Sequence, residues 1–484
     1  MLRYRLSAIG YQLSAIGYPY GLLILLMFLL DVSGTLHVYG LGWLMGQKWA
    51  LAAGMLLVAS AGAMLAGAAW HHPLTMVDCR LQITEHGVPM GSRGLDHMGI
   101  SSTTLRLLTL VILGAWLATA HNVLNFLLPT VSGWHYLWFG AGACGLGMLV
   151  VRPLRPALTL GLALGLGVGT RLLAIQQIPL DPLQSDMLPL VQQALANLYT
   201  GQSPYALYLM PWELPLTYLP VTWLAYLPAD LLGLDLRLTN LVAELVVGGV
   251  IYRLVRTPNA QAQPIGLLPL LWAWLFLQPS SLNWALTTTT PIWWALLALT
   301  LALVLHERPR ATALTLGLGS AASPFAALLW PFVLLARWHS HGLVASLRIA
   351  VGAALTAALC LVPFLLWDGP MFRYGVWYWF NDLDAFPRLR WEMDHIWASM
   401  VGFAGVFWRR DLAFWLKPIQ FSLVIAVLLW FWYQQPSPRR VAAHVAPTLL
   451  LFTVFNPVLW PYLYNQGMIA WFVAVASMAH QRKD

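Results

Sequence analysis

Apolar runs of about 20 residues, the length a helix needs to cross a bilayer, recur along the chain between short polar breaks. The pattern predicts spanning helices near 20–44, 49–70, 106–128, 133–151, 157–176, 238–254, 264–282, 289–305, 345–367, 412–433, 441–459 and 462–480. Three other stretches interrupt it. Residues 214–234 are long enough to span, but Pro215, Pro220 and Pro228 fall inside them, and interior prolines break helical hydrogen bonding. They are expected to stay on one leaflet or re-enter. Residues 311–337 are too short for two spans and break at SAASPF, 320–325, which predicts a short hairpin with both ends on the same side. Residues 395–408 read as an amphipathic interfacial piece. The expected fold class is all-α, a polytopic transmembrane helix bundle of about 12 spanning helices plus the short hairpin, with outer-face juxtamembrane helices. Residues 1–150 are expected to form an N-terminal four-helix transmembrane module, and 151–484 the core.

Composition agrees. The chain is 59% hydrophobic and 9% charged, where a soluble protein carries roughly a quarter charged residues, so it cannot cover a water-facing surface. The 26 Trp and 17 Tyr suit side chains at headgroup level. A formal net charge of +8 follows from basic cytoplasmic loops under the positive-inside rule and does not require nucleic acid. Arg80, Arg93, Arg152, Arg155, Arg253, Arg256, Arg308, Arg310, PSPRR (436–440) and QRK (481–483) then lie inside. Both termini are expected to be cytoplasmic, in a multi-pass protein of the cell (plasma or inner) membrane. Arg3 and Arg5 precede an apolar run without a clean small-residue cleavage site, which reads as a retained helix. The tandem LSAIGYQ–LSAIGYP (6–19) reads as local duplication.

Arg171, Arg237, Arg373, Arg388, Arg390, Arg409, Arg410 and Lys417 run against the charge rule, because they border two predicted outer loops, 176–214 and 368–411. An anionic ligand at the outer surface explains the group; pairing with Asp382, Asp384, Glu392, Asp394 and Asp411 is the alternative. Cys79, Cys144 and Cys360 form no metal spacing. His71, His72, Asp78, Cys79, Glu85, His86 and His97 match no metal motif and read as solvated loop residues. P-loop, dinucleotide and nucleophile-elbow motifs are absent. The expectation is no cofactor and no metal.

Candidate chemistry concentrates between Gln176 and Asn240. From Leu172 to Leu236 there is no Lys, Arg or His, while Asp181, Asp186, Glu213, Asp230 and Asp235 all fall there. A helix is predicted from Met187, with Ser185 or Asp186 able to cap it and Pro189 tolerable in its first turn. Its stripe of Leu188, Val191, Leu195 and Leu198 predicts a helix lying flat on the membrane. Asp186 would then sit at headgroup level, where a carboxylate can take a proton from a sugar or lipid hydroxyl. On residues alone, Asp186 is either such a base or only a helix cap.

The segments SDMLPLVQQALANLYTGQSPY (185–205) and LPLTYLPVTWLAYLPADLLGLDLRLTN (214–240), followed by SPFAALLWPFVLL (323–335), VPFLLWDGPMF (362–372) and FNPVLWPYLYN (455–465), resemble the GT-C glycosyltransferases, in their bacterial mannosyltransferase-like branch. The likeness covers about 157–480 and rests on the order of motifs, each degenerate by itself. It implies transfer of a hexose such as mannose from a polyprenyl-phosphate donor to a glycolipid, glycan or protein acceptor at the outer face, with inversion and among membrane lipids. Asp186 would be the catalytic base, with Asp181 its competitor. Arg237 first and Arg171 second would bind the leaving phosphate. Tyr205, Glu213, Tyr218 and Arg373 are further candidates for the substrate site. So are Asn456, Tyr462, Tyr464 and Asn465, which stand where several relatives carry a His. Trp377, Tyr378, Trp379 and Trp391 can stack on a sugar or anchor the interface. The rival readings are a transporter or flippase, and a glycan polymerase or ligase using the arginines and His395 of 368–411.

Overall fold

The computed structural model describes residues 52–65, 140, 144, 156–183, 185–210, 213–255, 285–379, 402–457 and 460–480. The expected spans 20–44, 106–128 and 264–282, nearly all of 133–151 and the loops 71–104 and 380–401 lie outside them. The proposed 1–150 module is therefore represented almost solely by α1, Ala52–Leu65.

The described chain is predominantly helical. Helices α2 (Pro156–Gln177) and α3 (Met187–Tyr199) lead into a hairpin of β1 (Leu207–Leu209) and β2 (Glu213–Pro215). Two five-residue helices follow, α4 (Pro220–Leu224) and α5 (Leu227–Leu231), then α6 (Arg237–Val255) and α7 (Thr290–Leu305). Helices α8 (Pro309–Ser320) and α9 (Trp330–His341) make a hairpin, and α10 (Leu343–Trp367) and α11 (Gly369–Arg373) come next. The chain closes with α12 (Ala404–Arg409), α13 (Leu416–Tyr433), α14 (Val441–Val454) and α15 (Asn465–His480).

Two of the three prolines of 214–234 act as helix starters rather than breakers. Pro220 and Pro228 sit in the first turns of α4 and α5, where the missing N–H costs no bond. Neither helix approaches spanning length. The 309–341 region is a helical hairpin of two 12-residue helices, each about 18 Å long and short of the roughly 30 Å hydrocarbon core. Its break falls at the expected place. Pro324 holds Ser323 in an extended conformation, and the Ser323 hydroxyl accepts from the Phe325 amide. The all-α reading missed the hairpin, in which Tyr208 pairs with Leu214 and buries while Leu207 and Leu209 stay exposed.

Among the described residues, two helices are long and apolar enough to cross a membrane, α10 and the stretch Ala413–Tyr433 that contains α13. Both leave large apolar side chains outside, among them Leu355, Leu359 and Leu366 on α10 and Phe421, Ile425 and Leu429 on α13. A continuous apolar exterior of that length suits hydrocarbon rather than water.

The core is built around α15, whose residues Met468 to Ala476 are all buried. It packs among α6, α7 and α14, and the Trp293 indole of α7 donates to Gln466 of α15 at 2.8 Å. Close approach depends on glycine. A Cβ on Gly467 would meet the Leu450 side chain at 2.6 Å. On α8, a Cβ at Gly317 would meet the Ala353 carbonyl oxygen and Thr356 Cβ of α10, each at 2.5 Å. Small residues let membrane helices approach in this way. Gly317→Val is accordingly expected to lower stability by about 1–3 kcal/mol or more through overpacking. Gly165→Ala, at an open helical position, should be neutral or slightly stabilising. Thermal unfolding in detergent checks the pair, and equal melting of both variants would contradict the packing account.

Candidate active site

Helix α3 is seated by its apolar stripe. Leu188, Val191, Ala194 and Leu195 are fully buried, and Leu198 is partly so. They pack in a second core cluster with Tyr205, Trp223 and Tyr226, joined by Phe364 of α10 and Phe372 of α11. The stripe therefore faces protein, not lipid, which corrects the expectation that this helix lies on the membrane. Amphipathicity identified the buried face but not what covers it.

Asp186 occupies the N-cap position of α3, with helical backbone angles, and its carboxylate accepts no first-turn amide. Its carbonyl makes the first helical bond, from the Leu190 amide at 3.0 Å. The neighbouring Ser185 hydroxyl is committed elsewhere, donating to the Thr287 carbonyl at 2.6 Å. That bond fixes the start of α3 to the turn preceding α7. The Asp186 charge acts on the Tyr218 phenol. Burial first, then the Asp186 charge and the Tyr462 phenol, hold the Tyr218 phenol well above the ordinary tyrosine range. Asp186 and Tyr462, from two other segments, thus both act electrostatically on Tyr218.

The Gly-x-x-Pro-Tyr turn builds this arrangement. Gly201 ends α3 in the left-handed region, φ 73°, and Gln202 donates its amide to the Asn197 carbonyl. The Asn197 amide group then holds the Ser203 carbonyl and the Tyr208 hydroxyl. Tyr205 follows, 1% exposed, with its ring against Phe372 at 4.7 Å. Its hydroxyl donates to the Tyr218 carbonyl at 2.9 Å and accepts from the Trp223 indole at 3.3 Å. Tyr205, named as a substrate contact, is instead a buried positioning residue that holds the Tyr218 backbone.

The other named residues divide. Asp181 accepts from the Leu183 amide at 2.9 Å and closes a turn. Arg237 is 4% exposed and grips Asp235 through Nε (2.8 Å) and a terminal nitrogen (2.5 Å). It also donates to the Ile178 and Ile175 carbonyls, tying α6 to the end of α2. Arg171 is 1% exposed and holds Glu244 of α6 through two bonds, 2.5 and 2.8 Å. Both arginines are structural staples with compensated charge, which departs from the phosphate-binding expectation. Arg373 is exposed at the end of α11, without an ion pair among the described residues. Glu213 is exposed on the hairpin. Tyr464 and Asn465 are buried in the core, while Asn456 is half-buried. Trp377 and Tyr378 are exposed beyond α11; Trp391 and His395 lie outside the described residues. Among the described residues no three His, Cys, Asp or Glu side chains group closely enough to hold a metal.

Sequence reasoning missed the support of the site. Asn240 is fully buried; it accepts from the Tyr226 hydroxyl and donates to the Ala285 and Thr288 carbonyls, each at 2.7 Å. The signal was available in the polar run TTTT (287–290) before Pro291 in an apolar stretch. Comparison with protein-family models, curated proteins and solved structures finds no match to this chain.

Breaking the buried Arg171–Glu244 pair by removing one partner leaves an uncompensated charge and is expected to cost about 3–5 kcal/mol. Arg171→Met and Glu244→Met should therefore each lower the detergent melting temperature strongly, and the double variant carrying both should recover most of the loss. A double variant as unstable as the sum of the singles would contradict a mutually compensating pair.

Proposed function

We propose that the chain is a multi-pass membrane glycosyltransferase of GT-C type, with both termini cytoplasmic. It moves a hexose from a polyprenyl-phosphate carrier to a glycolipid, glycan or protein acceptor at the outer face of the cell membrane. Asp186 takes the proton from the acceptor hydroxyl. The acceptor oxygen then bonds to the anomeric carbon from the face opposite the phosphate. The carbon–oxygen bond to phosphate breaks, and polyprenyl phosphate leaves with its electron pair. A carboxylate fixed at the head of a packed helix suits a general base, and Tyr218 and Tyr462 offer hydroxyls to the sugar or the phosphate. Arg373 is the named cation best suited to the charge that develops on the leaving phosphate, since Arg171 and Arg237 already have carboxylate partners.

The observation that carries this reading is a carboxylate, Asp186, that heads a firmly packed helix without capping it and whose charge, with the Tyr462 phenol, reaches Tyr218, each residue standing in a different motif. The buried Arg171–Glu244 pair favours a second reading, a transporter or flippase for lipid-linked sugars, because ionisable pairs within apolar helices often mark transport pathways.

Sugar transfer in membranes from labelled polyprenyl-phosphate hexoses separates the two. Asp186→Asn is expected to lose about three orders of magnitude at unchanged protein level, and Asp181→Asn is expected to stay near wild type. Full activity in Asp186→Asn would overturn the assignment. Movement of lipid-linked sugar without transfer would favour the second reading.

A further inference from the structure

At the opposite end of the bundle lies a cleft lined by Glu307, Arg308, Pro309, Thr312, Arg337, Ile349 and Pro438, among others. Ile349 and Phe364 are 15 residues apart on α10, so this cleft is about 22 Å from the Asp186 cluster along that helix. We propose that it binds the phosphate of an anionic lipid headgroup between Arg308 and Arg337.

Two arginines reach the cleft from different elements, Arg308 from the α7–α8 turn and Arg337 from α9. Neither forms an ion pair among the described residues. The Nε of Arg337 is buried without a hydrogen-bond partner among those residues. A buried, unmet guanidinium donor is costly, and an anion in the cleft would satisfy it. The acid that shares the cleft has a partner of its own: a Glu307 carboxylate oxygen lies 3.3 Å from His341 Nε2. Glu307 also holds a left-handed backbone, φ 53°, a conformation that disfavours a non-glycine residue and is often retained for function.

The surroundings identify a lipid as the source of the phosphate. Trp338 follows Arg337 directly and lies against Trp432 of α13, ring centroids 5.6 Å apart, with both indoles about half exposed. Exposed tryptophans at the ends of apolar helices mark headgroup level. Val344, Leu347 and Val351 are exposed on α10 on both sides of Ile349 along the chain, and give acyl chains an apolar face. The site is independent of the transferase reading, since it involves neither Asp186 nor the sugar donor.

Native mass spectrometry of the full-length protein in neutral detergent tests it, with phosphatidylglycerol, phosphatidylcholine and inorganic phosphate as probes. Wild type should prefer phosphatidylglycerol over phosphatidylcholine by about thirty-fold, from two headgroup-level arginines. Arg308→Gln with Arg337→Gln should abolish the preference. Arg310→Gln with Arg348→Gln, exposed positions outside the cleft, should keep it. A preference that survives the first pair, or falls equally with the second, overturns the proposal. Competition by inorganic phosphate as strong as by the lipid overturns the lipid source. If the first pair does not fold, Arg308→Gln alone and Arg337→Lys, which keeps the charge but lacks Nε, should each weaken the preference several-fold, and wild-type preference in both overturns the proposal.

Discussion

In a chain this apolar, a buried polar group is costly unless it finds a partner inside the protein, and much of the architecture follows from that constraint. The Arg171–Glu244 pair joins α2 to α6, and Arg237 joins the same two helices nearer the Asp186 end. Asn240 joins α6 to the turn before α7, and Ser185 joins that turn to the start of α3. Trp293 and Gln466 join α7 to α15. An unmet polar group in such surroundings costs several kcal/mol. These bonds therefore specify which helices neighbour one another, while apolar packing supplies the bulk of the attraction without direction. Glycines at 317 and 467 then set how closely the helices approach.

The same constraint delivers a carboxylate to a defined place. Asp186 stands at the head of a helix held by a buried stripe, and its neighbour Ser185 is pinned to Thr287. Tyr218 is held by its carbonyl through Tyr205, whose ring is wedged between Phe372 and Trp223. A reacting group mounted on packed elements keeps its geometry better than one on a free loop. The π-helical turn Tyr374–Tyr378 lies over this region so tightly that a Cβ on Gly375 would collide with the Leu216 carbonyl. The transferase reading needs these features for positioning rather than for chemistry.

Much of the helical framework was legible in the sequence. Spans expected at 157–176, 238–254, 289–305 and 345–367 correspond to helices whose ends lie within two residues of those bounds. The break at 320–325 was legible because a proline fixes its own φ and restricts the residue before it. Pairings across long sequence distance were not: nothing local tells Arg171 that its partner is Glu244, 73 residues on, and the charge pattern pointed instead to an outside anion. The hairpin 207–215 is too short to show a strand period. The α3 stripe was found, but period alone does not distinguish protein from lipid as its cover. Asp186, Tyr218 and Tyr462 were named from the sequence as candidates; the structural roles of Tyr205, Arg171 and Arg237 were not legible there, because each depends on tertiary neighbours.

The central claim is that a polyprenyl phosphate sits beside Asp186, and photo-crosslinking tests it most directly. Membranes containing the full-length chain would be labelled with a polyprenyl phosphate bearing a diazirine next to the phosphate, and the modified peptides mapped. The account predicts label in 182–190, 215–222 and 460–465 and near Arg373, displaced by unlabelled polyprenyl phosphate. Label confined to the 304–312 and 337–349 segments, or label that polyprenyl phosphate does not displace, would contradict it.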